Sequence, residues 1–297
     1  MKMMKRSILI LMIVLVGISC QAQLLWKVSG NGLGRPSYIM GTYHFAPGSM
    51  IDKIPGMSEA FEGCDVVVGE LEKESMMGAE VQALAAQALM APPDSTLDKL
   101  YSAEDYAIVE GVFNKYFGSM GVKLSQMNML KPIAISTQMQ VMQAIKYFPN
   151  LDPSTMIDMS VQTRANEMGR PSLALETVQE QIDILFNSPL VDQAADLLKA
   201  CKEDDKFMVQ STELAEAYLA QDLSKIESIL YNTEDPEFDD ASLDRLLYLR
   251  NKNWVEKLVT MMPERACLVC VGAGHLPGQQ GLLQLLRDRG YTVEPMQ

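Results

Sequence analysis

Four short apolar runs constrain this chain more than any other feature: "YIMGT" (38–42), "VVVG" (66–69), "LAL" (173–175) and "CLVCVGAG" (267–274). Each is too short for a helix of its own and is bounded by Gly, Pro or carboxylates, which reads as a strand. Helical patterns separate them, and strand–helix–strand order points to an α/β fold around a central sheet. In open α/β sheets, ligands gather outside the C-terminal ends of the strands. Four residues with strong chemical potential follow these runs: His44, Glu70, Glu176 and His275.

The remaining pattern fills in around that sheet. "LLWKVSG" and "RPSYIMG" flank "NGLG", a turn signal for a hairpin. A short helix is expected from Pro55, and helices dominate 75–262, broken by the strand "PSLALE". Ser102 and Asp105 are spaced as a helix cap and its partner, and Thr177 and Glu180 likewise. Methionines recur at helical spacing here, a pattern read as core filling in preference to a Met-lined groove. "NTEDPEFDDAS" (232–242) reads as a solvated acidic loop. The last unit, from Ala266, reads as strand, glycine loop, helix, a Gly290 cap and a final strand. Residues 23–297 therefore form one domain with a mainly helical middle, 75–262.

Residues 1–22 stand apart. "MKMMKR" followed by "SILILMIVLVGIS" is a basic segment and an apolar segment of signal-peptide length, which implies export to the periplasm or cell envelope of a bacterium. Cleavage after Ala22 would release the protein, the first reading; lipidation at Cys20, after Gly17-Ile18-Ser19, is the second. Removing Lys2, Lys5 and Arg6 leaves 22 basic residues against 38 acidic, a net charge of −16. That balance, with no basic cluster, excludes a nucleic-acid partner. Cys64, Cys201, Cys267 and Cys270 are too sparse for a disulfide framework. "CLVC" lies inside a strand, where residues three apart face opposite sides, so buried apolar thiols are expected.

The chain has two histidines, each ending a Gly-x-x-His element: G-T-Y-H at 41–44 and G-A-G-H at 272–275. Gly41, Gly272 and Gly274 are expected to allow sharp turns with positive φ and to leave room for a ligand near the backbone. Imidazole is the commonest metal ligand, so His44, His275 and Glu70 make a candidate set for a divalent metal, Mn²⁺, Co²⁺ or Zn²⁺ without ranking. Such a site would activate water for hydrolysis near neutral pH. Glu70 or Glu176 would serve as general base and Arg250 would steady a substrate carboxylate. A non-enzymatic envelope protein binding a peptide or small molecule, and a metal-free hydrolase using histidine and glutamate alone, remain alternatives. "VGAGHLPG" imitates a dinucleotide fingerprint, but its glycine spacing is off and the chain ends too soon after it. No G-x-S-x-G elbow is present.

The pieces "LWKVSG", "YIMGTYHF", "DVVVGELE", "ANEMGRPSLALETVQEQ", "LYLRNKNWVEKL" and "VGAGHLPGQQGLLQLLRDRGYTVEPM" together resemble the TraB/GumN family, which includes the pheromone-shutdown and Tiki proteins. The resemblance implies an α/β fold with a strand-end crevice and a large helical insertion, akin to the erythromycin-esterase and ChaN-like folds. More loosely, it implies a metal-dependent, peptidase-like activity. His44 and His275 would be its motif histidines, Glu70 its motif acid and Arg250 its helical arginine.

Overall fold

The computed structural model describes residues 23–148, 152–231 and 243–296. The leader at 1–22, with both processing routes, and the acidic stretch 232–242 lie outside the described residues. Six strands form one mixed sheet: β1 (Leu25–Gly30), β2 (Ser37–Thr42), β3 (Val66–Gly69), β4 (Ser172–Ala174), β5 (Cys267–Gly272) and β6 (Tyr291–Pro295). Their order is β4-β3-β5-β2-β1-β6. β4, β3, β5 and β2 run parallel, while β1 lies antiparallel to both β2 and β6.

The sequence explains this order. β2 and β3 are buried along their whole length and β5 nearly so, as their unbroken apolar runs require of strands covered on both faces. β1 is only partly buried and takes the sheet's outer half, joined to β2 by residues 31–36. In that connection Gly30, Asn31 and Gly32 all hold positive φ, and the Leu33 N–H closes a turn on the Gly30 carbonyl.

Helix α1 (Met57–Gly63) packs on β2 and returns the chain to β3. The middle of the chain then builds α2 (Lys73–Met77), α3 (Ala79–Ala88), α4 (Leu97–Leu100), α5 (Ala103–Phe117), α6 (Pro132–Tyr147) and α7 (Ile157–Glu167). After β4 come α8 (Val178–Phe186), α9 (Leu190–Lys202), α10 (Asp204–Leu219) and α11 (Leu223–Leu230). A π-helical turn, Asp244–Tyr248, leads into α12 (Leu249–Met261), and α13 (Leu282–Asp288) precedes β6. Ser102 accepts the Asp105 N–H, and Thr177 and Glu180 close a full capping box, so both helix starts sit where the sequence places them.

Two apolar cores result. One surrounds the sheet, with α7 packed on β3 and β5. The other lies among the helices, where Phe113 and Phe117 of α5 stack 4.5 Å apart against Ile135 of α6 and Leu197 of α9. The four described cysteines are free and buried, as small apolar groups would be. Among the described residues no helix is long and apolar enough to cross a membrane.

Candidate functional site

The parallel strands deliver the predicted residues to one edge. Thr42 at the end of β2 lies opposite Gly272 at the end of β5, and Cys270 lies opposite Gly69 at the end of β3. β4 adds its own end beside β3, and the Glu176 N–H donates to the Glu70 carbonyl at 3.1 Å. His44, Glu70, Glu176 and His275 therefore leave the sheet together, and α12 brings Arg250 to meet them.

Arg250 organises what lies there. Its Nη2 donates to Glu70 Oε2 at 2.7 Å and to Glu176 Oε1 at 2.5 Å, while Nε donates to Glu176 Oε2 at 3.1 Å. All three side chains are buried, as is His275. The Trp254 indole N–H also donates to Glu176, and its ring lies 4.6 Å from the Arg250 guanidinium carbon. Arg250 Nη1 approaches His275 Nε2 at 3.1 Å. Guanidinium only donates, so Nε2 must accept, and the ring proton resides on Nδ1. Nδ1 then donates to Asn251 Oδ1 at 2.7 Å, and the Asn251 amide holds the carbonyls of His275 and Gln280.

The charges follow from these partners. Burial alone would raise the Glu70 carboxyl, but His275, His44, Arg250 and the Gly272 N–H outweigh it and hold its pKa at about 2. Burial depresses His275 to about 3, with Glu70 opposing and Arg250 reinforcing that shift. At neutral pH His275 is therefore neutral, and the Glu70 charge rests on Arg250 and on the Gly272 N–H, 2.8 Å from Oε1. Burial works against the Arg250 charge, yet Glu70 and Glu176 raise its pKa further.

His44 lines the same crevice with a different partner. Its Nδ1 lies 3.0 Å from Asp158 Oδ2, and the Thr42 hydroxyl donates to Asp158 Oδ1 at 2.7 Å. The Asp158 charge raises His44 to about 9, against the opposing effect of the surrounding protein. Protein walls surround the ring, yet 63% of the side chain faces open space, so solvent screens the pair. The direction follows from the contact with the carboxylate, and His44 is an imidazolium at neutral pH.

His44, Glu70, Asp158 and Arg250 line a cavity of about 690 Å³. Its other walls are largely apolar and include Met76, Met156 and Met159. The expectation that the methionines fill the core thus holds for Met139, while these three face the crevice instead. His275 and Glu176 are not on the wall: they support Glu70 and Arg250 from behind.

The glycines also work differently from the expectation. Gly41, Gly272 and Gly274 all avoid positive φ. Their role is close approach. A Cβ on Gly41 would come within 3.1 Å of Ala273, and one on Gly274 within 2.9 Å of Leu230. At Gly272, the space a ligand was expected to use holds the Glu70 carboxylate instead.

The set His44, His275 and Glu70 does not fit a divalent metal in this arrangement. Both nitrogens of His275 are engaged, Glu70 faces a guanidinium, and that fixed positive charge would repel a cation beside it. Among the described residues no group of three or more His, Cys, Asp or Glu side chains is placed to hold a metal ion.

Asp158 is the functional candidate the sequence reading passed over. It lies in the first turn of α7, whose Ile157, Val161 and Ala165 form the buried stripe. Asp158 and Gln162, four apart, form a polar stripe beside it and both line the cavity. That interrupted amphipathic pattern was the available signal.

Among models of protein families, that of the TraB/PrgY/gumN family matches residues 24–295, nearly the whole chain. No curated protein and no solved structure matches the chain.

Proposed function

The chain belongs to the TraB/PrgY/gumN family, and from that premise and the crevice geometry we propose that it is a hydrolase whose proton-transferring residue is His44. The observation that carries this reading is the His44–Asp158 pair, open to a cavity that a fixed Glu70–Arg250 ion pair also lines. A carboxylate on Nδ1 orients the imidazole and leaves Nε2 facing the cavity, where a general base or acid must be. Glu70, held near pKa 2 with both oxygens engaged, is too weak a base for that task. Its role is electrostatic: with Arg250 it presents fixed charges to a reacting group in a partly dehydrated site. Glu176 and His275 hold Arg250 in place.

In this mechanism neutral His44 removes a proton from the attacking water and returns it to the leaving group. A cavity of about 690 Å³ accommodates a small molecule or a short peptide segment, and its apolar lining favours uncharged side chains. Metal dependence has no support from the donor set, so the metal-free form of hydrolysis is the one proposed. Export is proposed on the leader at 1–22, and the mass of the mature protein distinguishes cleavage after Ala22 from lipidation at Cys20.

The test is the pH dependence of kcat/KM on a panel of ester and peptide substrates, with and without a chelator. The expected result is a rate that rises with pH to a limb near 9, persists under chelation and is lost in His44→Ala. Full activity in His44→Ala would refute the reading. Loss on chelation with recovery on Mn²⁺, Co²⁺ or Zn²⁺ would return the site to metal chemistry. Ligand retention without turnover of any substrate would favour a binding protein.

A further inference from the structure

The crevice carries one further cation. Arg245 lies on its wall, on the π-helical turn Asp244–Tyr248, one helical turn before Arg250. The turn explains why both face the same cavity. In an α-helix, residues five apart point roughly 140° away from each other. Here the Leu249 N–H bonds to the Asp244 carbonyl five residues back, and this wider turn keeps such positions on one side.

The two arginines differ in what they meet. Arg250 is neutralised by Glu70 and Glu176, and Asp158 is paired with His44. Asp196, the other carboxylate on the wall, has its own interactions. Arg245 makes no ion pair or side-chain hydrogen bond among the described residues and is only partly exposed. A half-buried guanidinium beside an apolar cavity, with no partner among the described residues, is a receptor for an anion.

We propose that Arg245 binds a carboxylate on the substrate, so that the site takes an apolar molecule ending in a carboxylate, such as the C-terminal residue of a peptide. This rests on the hydrolase reading for the site and adds its substrate class. A carboxylate matches one guanidinium in charge and in its two-pronged geometry. A phosphate monoester, with close to two charges, would be left half-neutralised here.

The test uses dansyl-leucine and dansyl-leucinamide, which differ only in the carboxylate, with binding followed by dansyl fluorescence at neutral pH. Wild-type protein should bind the carboxylate probe about tenfold or more tightly than the amide. Arg245→Gln should bind both equally, and Arg245→Lys should keep part of the preference. His44→Ala should lose turnover while still preferring the carboxylate probe, though less strongly, which separates a failure of this inference from a failure of the hydrolase reading. Equal binding by wild type, no binding of either probe, or a preference that survives Arg245→Gln would overturn the assignment. Displacement of dansyl-leucine by millimolar inorganic phosphate would overturn the choice of a carboxylate.

Discussion

His44 and His275 stand behind the same Gly-x-x-His spacing, on neighbouring parallel strands whose ends are in register at Thr42 and Gly272. Their environments are opposite. His44 faces open space with a carboxylate on Nδ1 and is held at about 9. His275 is buried with an amide on Nδ1 and a guanidinium on Nε2 and is held at about 3. The motif places a histidine at a strand end; the neighbouring helix decides its work. α7 brings Asp158 to one ring, and α12 brings Arg250 and Asn251 to the other. One histidine is left to exchange protons with a substrate, and the other is a fixed acceptor that positions an arginine.

Substitutions can break or sharpen that contrast. The largest effect is expected at His44→Ala: kcat/KM should fall by about 10²–10⁴, the usual contribution of a general base, with unfolding by urea nearly unchanged above pH 9, where the ring's charge no longer adds stability. A comparable loss of stability at that pH would contradict the view that the neutral ring is free of structural duty. Next in size is Arg250→Ala, which leaves Glu70 and Glu176 charged, buried and unpaired. Unfolding free energy should drop by about 3–5 kcal/mol in a denaturant titration.

His275→Ala should cost less, about 1–3 kcal/mol, by leaving Asn251 and Arg250 each without one buried partner. If it left stability intact and abolished activity, the division of labour between the histidines would be wrong. The smallest effect is on pH dependence. Asp158→Asn removes the main cause of the His44 shift, so the alkaline limb of the rate should move from about 9 toward the ordinary 6.5.

Stability should respond to pH in opposite senses at the two rings. His44 binds its proton more tightly when folded, so its contribution is complete below pH 6.5 and is lost as pH rises through about 9. His275 and Glu70 have depressed values. Their contributions are present above 6.5 and 4.5 respectively and are lost as pH falls toward about 3 and about 2. Thermal unfolding of wild type beside His44→Gln from pH 6 to 10 should show the difference between the two shrinking with pH.

The strand ends were legible because short apolar runs have few other uses. Both caps, at Ser102 and Thr177, were readable from local spacing for the same reason. The convergence of His44, Glu70, Glu176 and His275 followed from parallel strands sharing one edge. What stayed hidden were pairings between distant segments. Asp158 lies 114 residues from His44, and nothing local marks it as that ring's partner. The engagement of both His275 nitrogens likewise depends on α12, 24 and 25 residues earlier in the chain. The π turn that carries Arg245 was also not read from the sequence.

Because the chain holds only His44 and His275, imidazole NMR reports on the comparison directly. A pH titration of ¹⁵N-histidine-labelled, untagged protein should show one ring titrating near 9 and lost in His44→Ala. The other should stay neutral, with its proton on Nδ1, as far down in pH as the protein remains folded. Two rings titrating together near 6.5, or His275 charged at neutral pH, would contradict the account.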